Sequence, residues 1–502
     1  MAIENSLSES KHLYLIKGDL SGIQGFIFNV KSKGAAKAVK GRSFFLKLVI
    51  QLAMEKILSL VGLTGPEAEA AKISTSGGAF ILRVPLSDPA LIEKVQLELT
   101  TSLQYTGLNL VLSYVPSEAN YTSEILVLNQ QNRKKKYQLY SSSEAFFQVF
   151  DRSLQNQANK NDTWSKIADA IKKDANTHYV ILQDPEKNNG LRITGKSVSL
   201  AGFQVIFGGG EALGNKAIAL DTMLEHIFPA NKTFEHLVTD KILDRKGGFR
   251  KAKGLNKLGV LVMDVDNLGP ALQAVQSWEE YAKFDQDLRS FFNENLKRIL
   301  AKDPFKDKVY VITAGGDDSF FVGRWNYMLD LALRIQQAFQ HSFGEKGLTI
   351  SAGLSIVHEK FPVVRFTEIG EEAIKRAKRG EKGNLSILGE VVSWKVMESQ
   401  IMPLRKKLGF NRELISKGLL AKARQKALTS LDPKEGIHLS DYWKMSYYLR
   451  NTDQRDIATV MNFLDRSIEK AGDPSLSKIE RQSYRIAFPL AARLAEFDNR
   501  KG

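Results

Sequence analysis

The order of its apolar segments predicts that this 502-residue chain is an α+β protein in which one β-α-β-β-α-β unit is used twice. Two observations carry that prediction: the same series of strand and helix patterns recurs, and each series has a glycine pair between its two middle strands. In the first copy, His12 to Lys17 alternates as a strand and ends in Gly18-Asp19. A helix from about Arg42 to Leu60 follows, then strands Lys72 to Ser76 and Phe80 to Val84 around Gly77-Gly78-Ala79, a helix from about Asp88 to Leu103 and a strand Leu108 to Val115. In the second, Leu258 to Val265 is almost continuously apolar, as expected of a strand covered on both faces, and it delivers Asp264 and Asp266 near its end. A helix from about Gln273 to Leu300, strands Lys308 to Thr313 and Ser319 to Val322 around Gly315-Gly316-Asp317-Asp318, a helix near Tyr327 to Phe343 and a strand Leu348 to Val357 complete it.

This is the order of a ferredoxin-like, palm-type domain. The expected organisation is a first palm at 1–120, a linking domain at 121–254, a second palm at 255–397 and a helical domain at 398–502. The tail segments Asp456 to Lys470 and Lys478 to Phe497 carry apolar residues at three-to-four spacing. Within the linking region, Gly190 to Ser197 satisfies the written P-loop pattern, but a turn-rich hexamer precedes it and Val198 to Phe207 reads as a strand, so the context is wrong for a phosphate cradle.

Composition limits the function classes. No cysteine is present, which excludes disulfides and thiolate zinc sites and fits a reducing cytoplasm. The start is polar, and the most apolar long segment, Phe44 to Leu63, carries Lys47, Gln51, Glu55 and Lys56, so no membrane span is expected. A net charge of +15 favours a polyanionic partner, RNA above all, with basic clusters at Arg133 to Lys136 and Arg405 to Lys426.

Two adjacent aspartates at an ordered turn repel each other, and a divalent cation relieves the repulsion. In a β-α-β-β-α-β sheet the first strand lies beside the middle hairpin, so Asp264 is expected to converge on Asp317 and Asp318. The expected metal set is Asp264, Val265, Asp317 and Asp318, for one or two Mg²⁺ or Mn²⁺ ions, with Gly315 and Gly316 shaping the turn. Such a site suits nucleotidyl transfer, and Asn267, Leu268 and Gly269 offer backbone N–H groups to phosphate oxygens. The first copy has Ala79 where the second has an acid, so the chemistry is expected in the second copy and not in the first.

The run Gly18 to Gln24 (GDLSGIQ), then Lys40 to Phe44 (KGRSF), Leu258 to Gly269 (LGVLVMDVDNLG), Gly315 to Asp318 and Ala491 to Phe497 resembles the large polymerase-cyclase subunit of type III CRISPR effector complexes. The resemblance covers most of the chain from about residue 12. It implies two facing palms that bind two ATP molecules and join them into cyclic oligoadenylate when the complex captures target RNA. Residue by residue, it implies that Asp264, Asp317 and Asp318 hold metal, that Asp19, Ser21, Gly22, Gly77 and Gly78 line the acceptor nucleotide, and that Lys378, Lys382 and Asn384 contact phosphates. The implied partners are guide RNA, target RNA, the small helical subunit and the backbone subunits of the effector. Two departures qualify it: no His-Asp dipeptide of a nuclease domain occurs among the seven histidines, so DNA cleavage by this subunit is not expected, and the family's four-cysteine zinc site is lacking. A first palm holding S-adenosylmethionine instead, giving a linear conjugate, and a catalytically silent scaffold are the alternatives.

Overall fold

The computed structural model describes residues 12–31, 34–76, 78–103, 106–118, 120–138, 161–171, 177–183, 191–194, 196–209, 218–219, 233–238, 241–243, 249–251, 254–306, 308–410, 447 and 454–499. Its first sheet has the order β2-β3-β1-β4, built from β1 (His12–Ser21), β2 (Lys72–Ser76), β3 (Ala79–Leu86) and β4 (Asn109–Pro116). The helices of this repeat are α1 (Ile23–Phe28), α2 (Ala35–Val61), α3 (Gly65–Ala70) and α4 (Ala90–Leu103), followed by α5 (Tyr121–Gln138) and α6 (Asn161–Ala170). A small sheet of order β6-β7-β8-β5-β9 uses β5 (Thr177–Gln183), β6 (Arg192–Ile193), β7 (Ser197–Leu200), β8 (Phe203–Gly209) and β9 (Ile218–Ala219); β10 (Lys241–Leu243) and β11 (Phe249–Lys251) pair alone. The second large sheet has the order β13-β14-β12-β15-β16-β17: β12 (Leu258–Asp266), β13 (Val309–Gly315), β14 (Asp318–Arg324), β15 (Thr349–Val357), β16 (Asn384–Ile387) and β17 (Glu390–Ser393). Its first four positions repeat the order of the first sheet, as the α+β prediction of a duplicated ferredoxin-like unit requires. The longer helices of the rest of the described chain are α7 (Leu268–Ala274), α8 (Trp278–Ser290), α9 (Trp325–Phe343), α10 (Phe366–Ala377), α11 (Met402–Phe410), α12 (Gln454–Gly472) and α13 (Lys478–Asn499).

The described residues fall into two compact units whose boundaries cut across the repeats. One takes in those of Met1–Thr233, Asn267–Phe321 and Pro362–Thr367. Its core joins sheet residues Leu15, Ile73, Ile81 and Val115 to Tyr121 and Leu128 of α5 and to Val275 and Trp278. Two contacts here are reciprocal. From the first repeat, α2 meets β13 of the second: Ser43 Oγ donates to the Ile312 carbonyl at 2.5 Å and the buried Tyr310 hydroxyl donates to the Ala36 carbonyl at 2.7 Å. From the second repeat, α8 meets β2 of the first: Ser74 Oγ donates to Asp285 Oδ1 at 2.9 Å and Arg289 Nη1 donates to Thr75 Oγ1 at 2.9 Å.

The sequence run at Lys40 to Phe44 is thereby explained in structural terms. Gly41 lets α6 lie against α2, since a Cβ there would stand 2.0 Å from the Trp164 carbonyl oxygen. Arg42 is fully buried; it donates to the Phe26 carbonyl, its guanidinium lies 5.1 Å from the Phe26 ring and 5.4 Å from the Trp164 ring, and burial pulls its pKa down to about 10. Phe44 packs against Tyr179 and Phe207 of the small sheet.

The other unit takes in the described residues of Phe234–Asp266, Val322–Phe361 and Glu368–Gly502. Here α9 covers β12 and β15, and α13 returns to the start of β12, where Leu255 N donates to the Phe497 carbonyl at 2.7 Å. Arg405 of α11 grips Asp498 of α13 through Nε at 2.8 Å and Nη2 at 2.9 Å, and stacks 5.0 Å from the Trp325 ring.

Several sequence expectations need correction. The long helix at Gln273 to Leu300 is broken before α8, because Ser277 caps α8 by accepting from Glu280 N, and Glu280 reaches back to Gln276 N at 2.9 Å; α7 starts earlier, at Leu268, and α8 runs through a π-helical turn, Phe291–Asn295, into a short helix, Leu296–Leu300. Val198 to Phe207 is a hairpin, turned by Ala201 and Gly202, both with positive φ. Arg405, read as the start of an RNA-facing basic surface, is 8% exposed and clamps α11 to α13; 411–426 lie outside the described residues. Ser197 opens a strand, which agrees with rejecting the P-loop; Gly190 and Gly195 lie outside the described residues. Among the described residues no helix is long and apolar enough to cross a membrane.

Two stability outcomes follow from this packing. Replacing Gly41 by Ala pushes α6 off α2 and lowers stability by about 1–3 kcal/mol, read as a lower urea midpoint with an unchanged slope. Replacing Arg405 by Ala leaves Asp498 facing a half-closed interface without its partner and costs about 3 kcal/mol, whereas Arg405→Ala with Asp498→Ala recovers part of that loss.

Candidate active site

Strand alternation puts Asp264 and Asp266 on the same face of β12, opposite Ser351 and Thr349 of β15. Asp266 is 1% exposed, and its Oδ2 accepts three hydrogen bonds: from Thr349 Oγ1 at 3.0 Å, Ser351 Oγ at 2.7 Å and Gly383 N at 3.0 Å. Its Oδ1 has no hydrogen-bond partner and lies 3.5 Å from Lys378 Nζ. The same ammonium stands 2.5 Å from Asp264 Oδ1. Lys378, just beyond α10, is thus the cation for two carboxylates, one buried and fixed and the other one-third exposed. Asp266 is the residue that sequence reasoning passed over as a site residue; the alternating Asp-Val-Asp spelling was the available signal.

The acidic turn lies in the unit that contains the first repeat. Gly316 has φ +71, a left-handed conformation that favours glycine, and Asp317 follows it at the exposed turn. Asp318 is the exposed first residue of β14, so the carboxylates sit at the mouth of the hairpin rather than both at its tip. The strand leading into the turn is the one held by α2 through Ser43 and Tyr310.

The first repeat presents the corresponding strand end. Asp19 pairs across β1–β3 with Ala79, and Leu20 N donates to the Gly78 carbonyl at 2.9 Å, so the degenerate turn closes directly on Asp19. Ser21 Oγ donates to the Asn109 carbonyl at 3.1 Å, and Gly22 has φ +82. Lys136 of α5 reaches Asp19 Oδ2 at 2.8 Å. Beneath α5, Lys17 Nζ donates to Asn129 Oδ1 at 2.7 Å; burial lowers its pKa, Asp19 opposes that shift, and Lys136 and Arg133 add to it. Gly77 lies outside the described residues.

Of the remaining candidates, Val265 is buried, so its side chain belongs to the core. Asn267 is exposed with φ +62 at the start of α7, and Leu268 and Gly269 form its first turn. Lys382 is exposed. Asn384, expected at phosphates, is buried and its amide donates to the carbonyls of Glu381 and Lys382, so it shapes the loop that delivers Gly383 N to Asp266.

The donors at Asp264 and Asp266 suit a hard divalent cation in kind: both are carboxylate oxygens, one is buried without a hydrogen-bond partner, and an ammonium already takes a cation's place between them. In number they do not suffice alone, since no group of three His, Cys, Asp or Glu side chains gathers for a metal among the described residues. Mg²⁺ is commonly held by one or two carboxylates with water and substrate phosphates completing the shell.

Comparison with known proteins finds relatives of both repeats. The family model for the second palm domain of Cas10/Cmr2 matches residues 257–386, and that for domain B of the Csm1 subunit matches 12–152. A CRISPR single-strand-specific deoxyribonuclease Cas10/Csm1 of subtype III-A from Enterococcus italicus is 24% identical, over 90% of this chain and 62% of the relative. Its counterpart from Thermococcus onnurineus is 24% identical over 76% of this chain and 56% of the relative. The chain therefore spans less than two thirds of the length of these relatives. Solved structures of a Csm1–Csm4 cassette, apo and in complex with cA4, superpose with TM-scores of 0.67 and 0.69 at 19% and 18% identity, covering 97% and 98% of this chain and 72% and 71% of theirs. Two Cas10-type domain matches, one on each repeat and in the same order, place this chain in the Cas10/Csm1 family of type III CRISPR large subunits.

Proposed function

We propose that this chain is the nucleotidyltransferase subunit of a type III-A CRISPR effector complex and converts ATP into cyclic oligoadenylate when target RNA is captured. The observation that carries the proposal is the pair Asp264 and Asp266 on one strand face, bridged by Lys378, in a sheet whose strand order is that of a palm. The first repeat supplies the geometric precedent: the same order there sets Asp19 directly across from the turn between β2 and β3. By that precedent Asp264 serves the turn of Asp317 and Asp318. The similar solved structures support the substrate, since they are of Csm1–Csm4 cassettes in complex with one ATP, with AMPPNP and with cA4.

In this reaction the 3′-hydroxyl of one ATP attacks the α-phosphorus of the other; the new P–O bond replaces the bond to pyrophosphate, and the hydroxyl proton leaves to solvent. Asp264, Asp317 and Asp318 are the residues that would hold Mg²⁺ or Mn²⁺, which when bound would supply charge neutralisation for the triphosphate and a lowered pKa for the attacking hydroxyl. Asp266 keeps Lys378 and the Gly383 loop in place. The first repeat, with Asp19, Ser21, Gly22 and Gly78 at its strand end, holds the acceptor nucleotide. A Csm4-type subunit and guide RNA are the assembly partners, in keeping with the solved Csm1–Csm4 subcomplex of a type III-A Csm interference complex.

Incubating the assembled complex with Mg²⁺, ATP, target RNA and, in parallel, S-adenosylmethionine, with products identified by mass spectrometry, tests this reading. Cyclic oligoadenylate is expected; a linear adenylyl conjugate moves the acceptor to S-adenosylmethionine, and no product in any mixture favours a scaffold. Replacing Asp317 and Asp318 by Ala lowers synthesis by more than about a hundredfold and leaves assembly and RNA binding intact, because exposed turn carboxylates contribute little to the core. Replacing Asp266 by Asn keeps the fold but weakens synthesis by about tenfold or more, since Oδ2 loses an anionic acceptor for three donors.

A further inference from the structure

The two repeats share more than a strand order. Aligning Gly22 with Asn267, the left-handed residues that follow β1 and β12, sets Asp19 on Asp264 and Ser21 on Asp266. The return strands agree: Ser21 faces Asn109, the first residue of β4, and Asp266 faces Thr349, the first residue of β15. The segment after each return strand then supplies a lysine to the corresponding aspartate, from within α5 in the first repeat and from just beyond α10 in the second. Lys136, 27 residues after Asn109, lies 2.8 Å from Asp19 Oδ2; Lys378, 29 residues after Thr349, lies 2.5 Å from Asp264 Oδ1. Exposures match as well, with the lysines at 35% and 26% and the aspartates at 22% and 33%. The first repeat has no acidic turn but does have an aspartate–lysine pair.

Lys136 is held in that position by a specific seat. α5 is a polar helix, yet it is fixed to the sheet by the buried Asn132, which donates to Ser113 Oγ at 3.1 Å, by Lys17 through Asn129, and by Lys135, which donates to the Leu112 carbonyl at 2.8 Å. Lys17, Asp19 and Ser21 alternate along one face of β1, so a cationic pair, Lys17 and Lys136, flanks a single carboxylate at the strand end.

We infer that Lys136 is the triphosphate-binding residue of the first repeat, the counterpart of Lys378, and that each lysine leaves its aspartate for the phosphates when a nucleotide arrives. The inference rests on reading the first repeat as a nucleotide seat. An ammonium on a flexible four-carbon stem can make that exchange while the strand stays fixed. It also assigns the basic run at Arg133 to Lys136 a substrate role at its last residue.

The test is calorimetric titration of the assembled complex, in Mg²⁺, with an α,β-methylene ATP analogue that cannot be transferred, and separately with adenosine. Lys136→Met is expected to weaken triphosphate binding at one of two seats by about tenfold, to leave adenosine binding unchanged, and to be largely rescued by Lys136→Arg. Lys378→Met is expected to weaken the other seat, and the double variant both. Unchanged triphosphate binding in Lys136→Met overturns the inference, as does equal loss for adenosine and triphosphate, which marks a structural role, or absence of triphosphate binding in the unaltered complex. The titration reads no turnover, so failure to form cyclic oligoadenylate contradicts the proposed function while leaving this outcome separately decidable.

Discussion

A carboxylate at the end of a covered central strand needs a cation, because desolvation of the charge is otherwise uncompensated. That constraint organises this protein. Asp266 is closed in by two hydroxyls, a backbone N–H and a neighbouring ammonium; Asp264 takes the same ammonium, and Asp19 takes that of Lys136. The partners come from the segment after the return strand in each repeat. The placement of α5 and of the loop behind α10 is therefore part of the electrostatics of the strand ends, as well as a matter of covering the sheets.

The second organising feature is the exchange of helices between repeats. Within one compact unit, α2 bonds to the strand that leads into the acidic turn, and α8 bonds to the strand that leads into the degenerate one. Each hairpin is thus seated partly on the other copy. Buried hydrogen bonds between a serine or tyrosine hydroxyl and a backbone carbonyl fix position more sharply than apolar contact does, since leaving either group unpaired is costly. Through these bonds the first repeat's helix holds Ile312 and Tyr310, a few residues from Asp317.

How much of this was legible in the sequence follows from what each signal encodes. The duplicated fold was readable because strand and helix periods are local and occur twice, and the acidic turn stood out through its glycines. The division of Gln273 to Leu300 was missed although Ser277 and Glu280 spell a cap, because the apolar spacing runs across the break. Arg405 looked like a surface charge; only the return of α13, which brings Asp498 to it, makes it a buried clamp. β16 and β17 went unread because each is only four residues long. Lys136 and Lys378 sit in charge-rich helical segments where nothing local separates a solvated lysine from one aimed at a strand end more than a hundred residues away. The equivalence of the two pairs shows only when the strand registers are laid side by side.

The central claim is that both repeats are nucleotide seats and only the second carries the acids for transfer. Native mass spectrometry of the assembled complex with Mg²⁺ and the α,β-methylene ATP analogue tests it most directly. The account predicts two analogue molecules per copy of this chain, retained at two when Asp317 and Asp318 are replaced by Asn. A maximum of one per chain would contradict it.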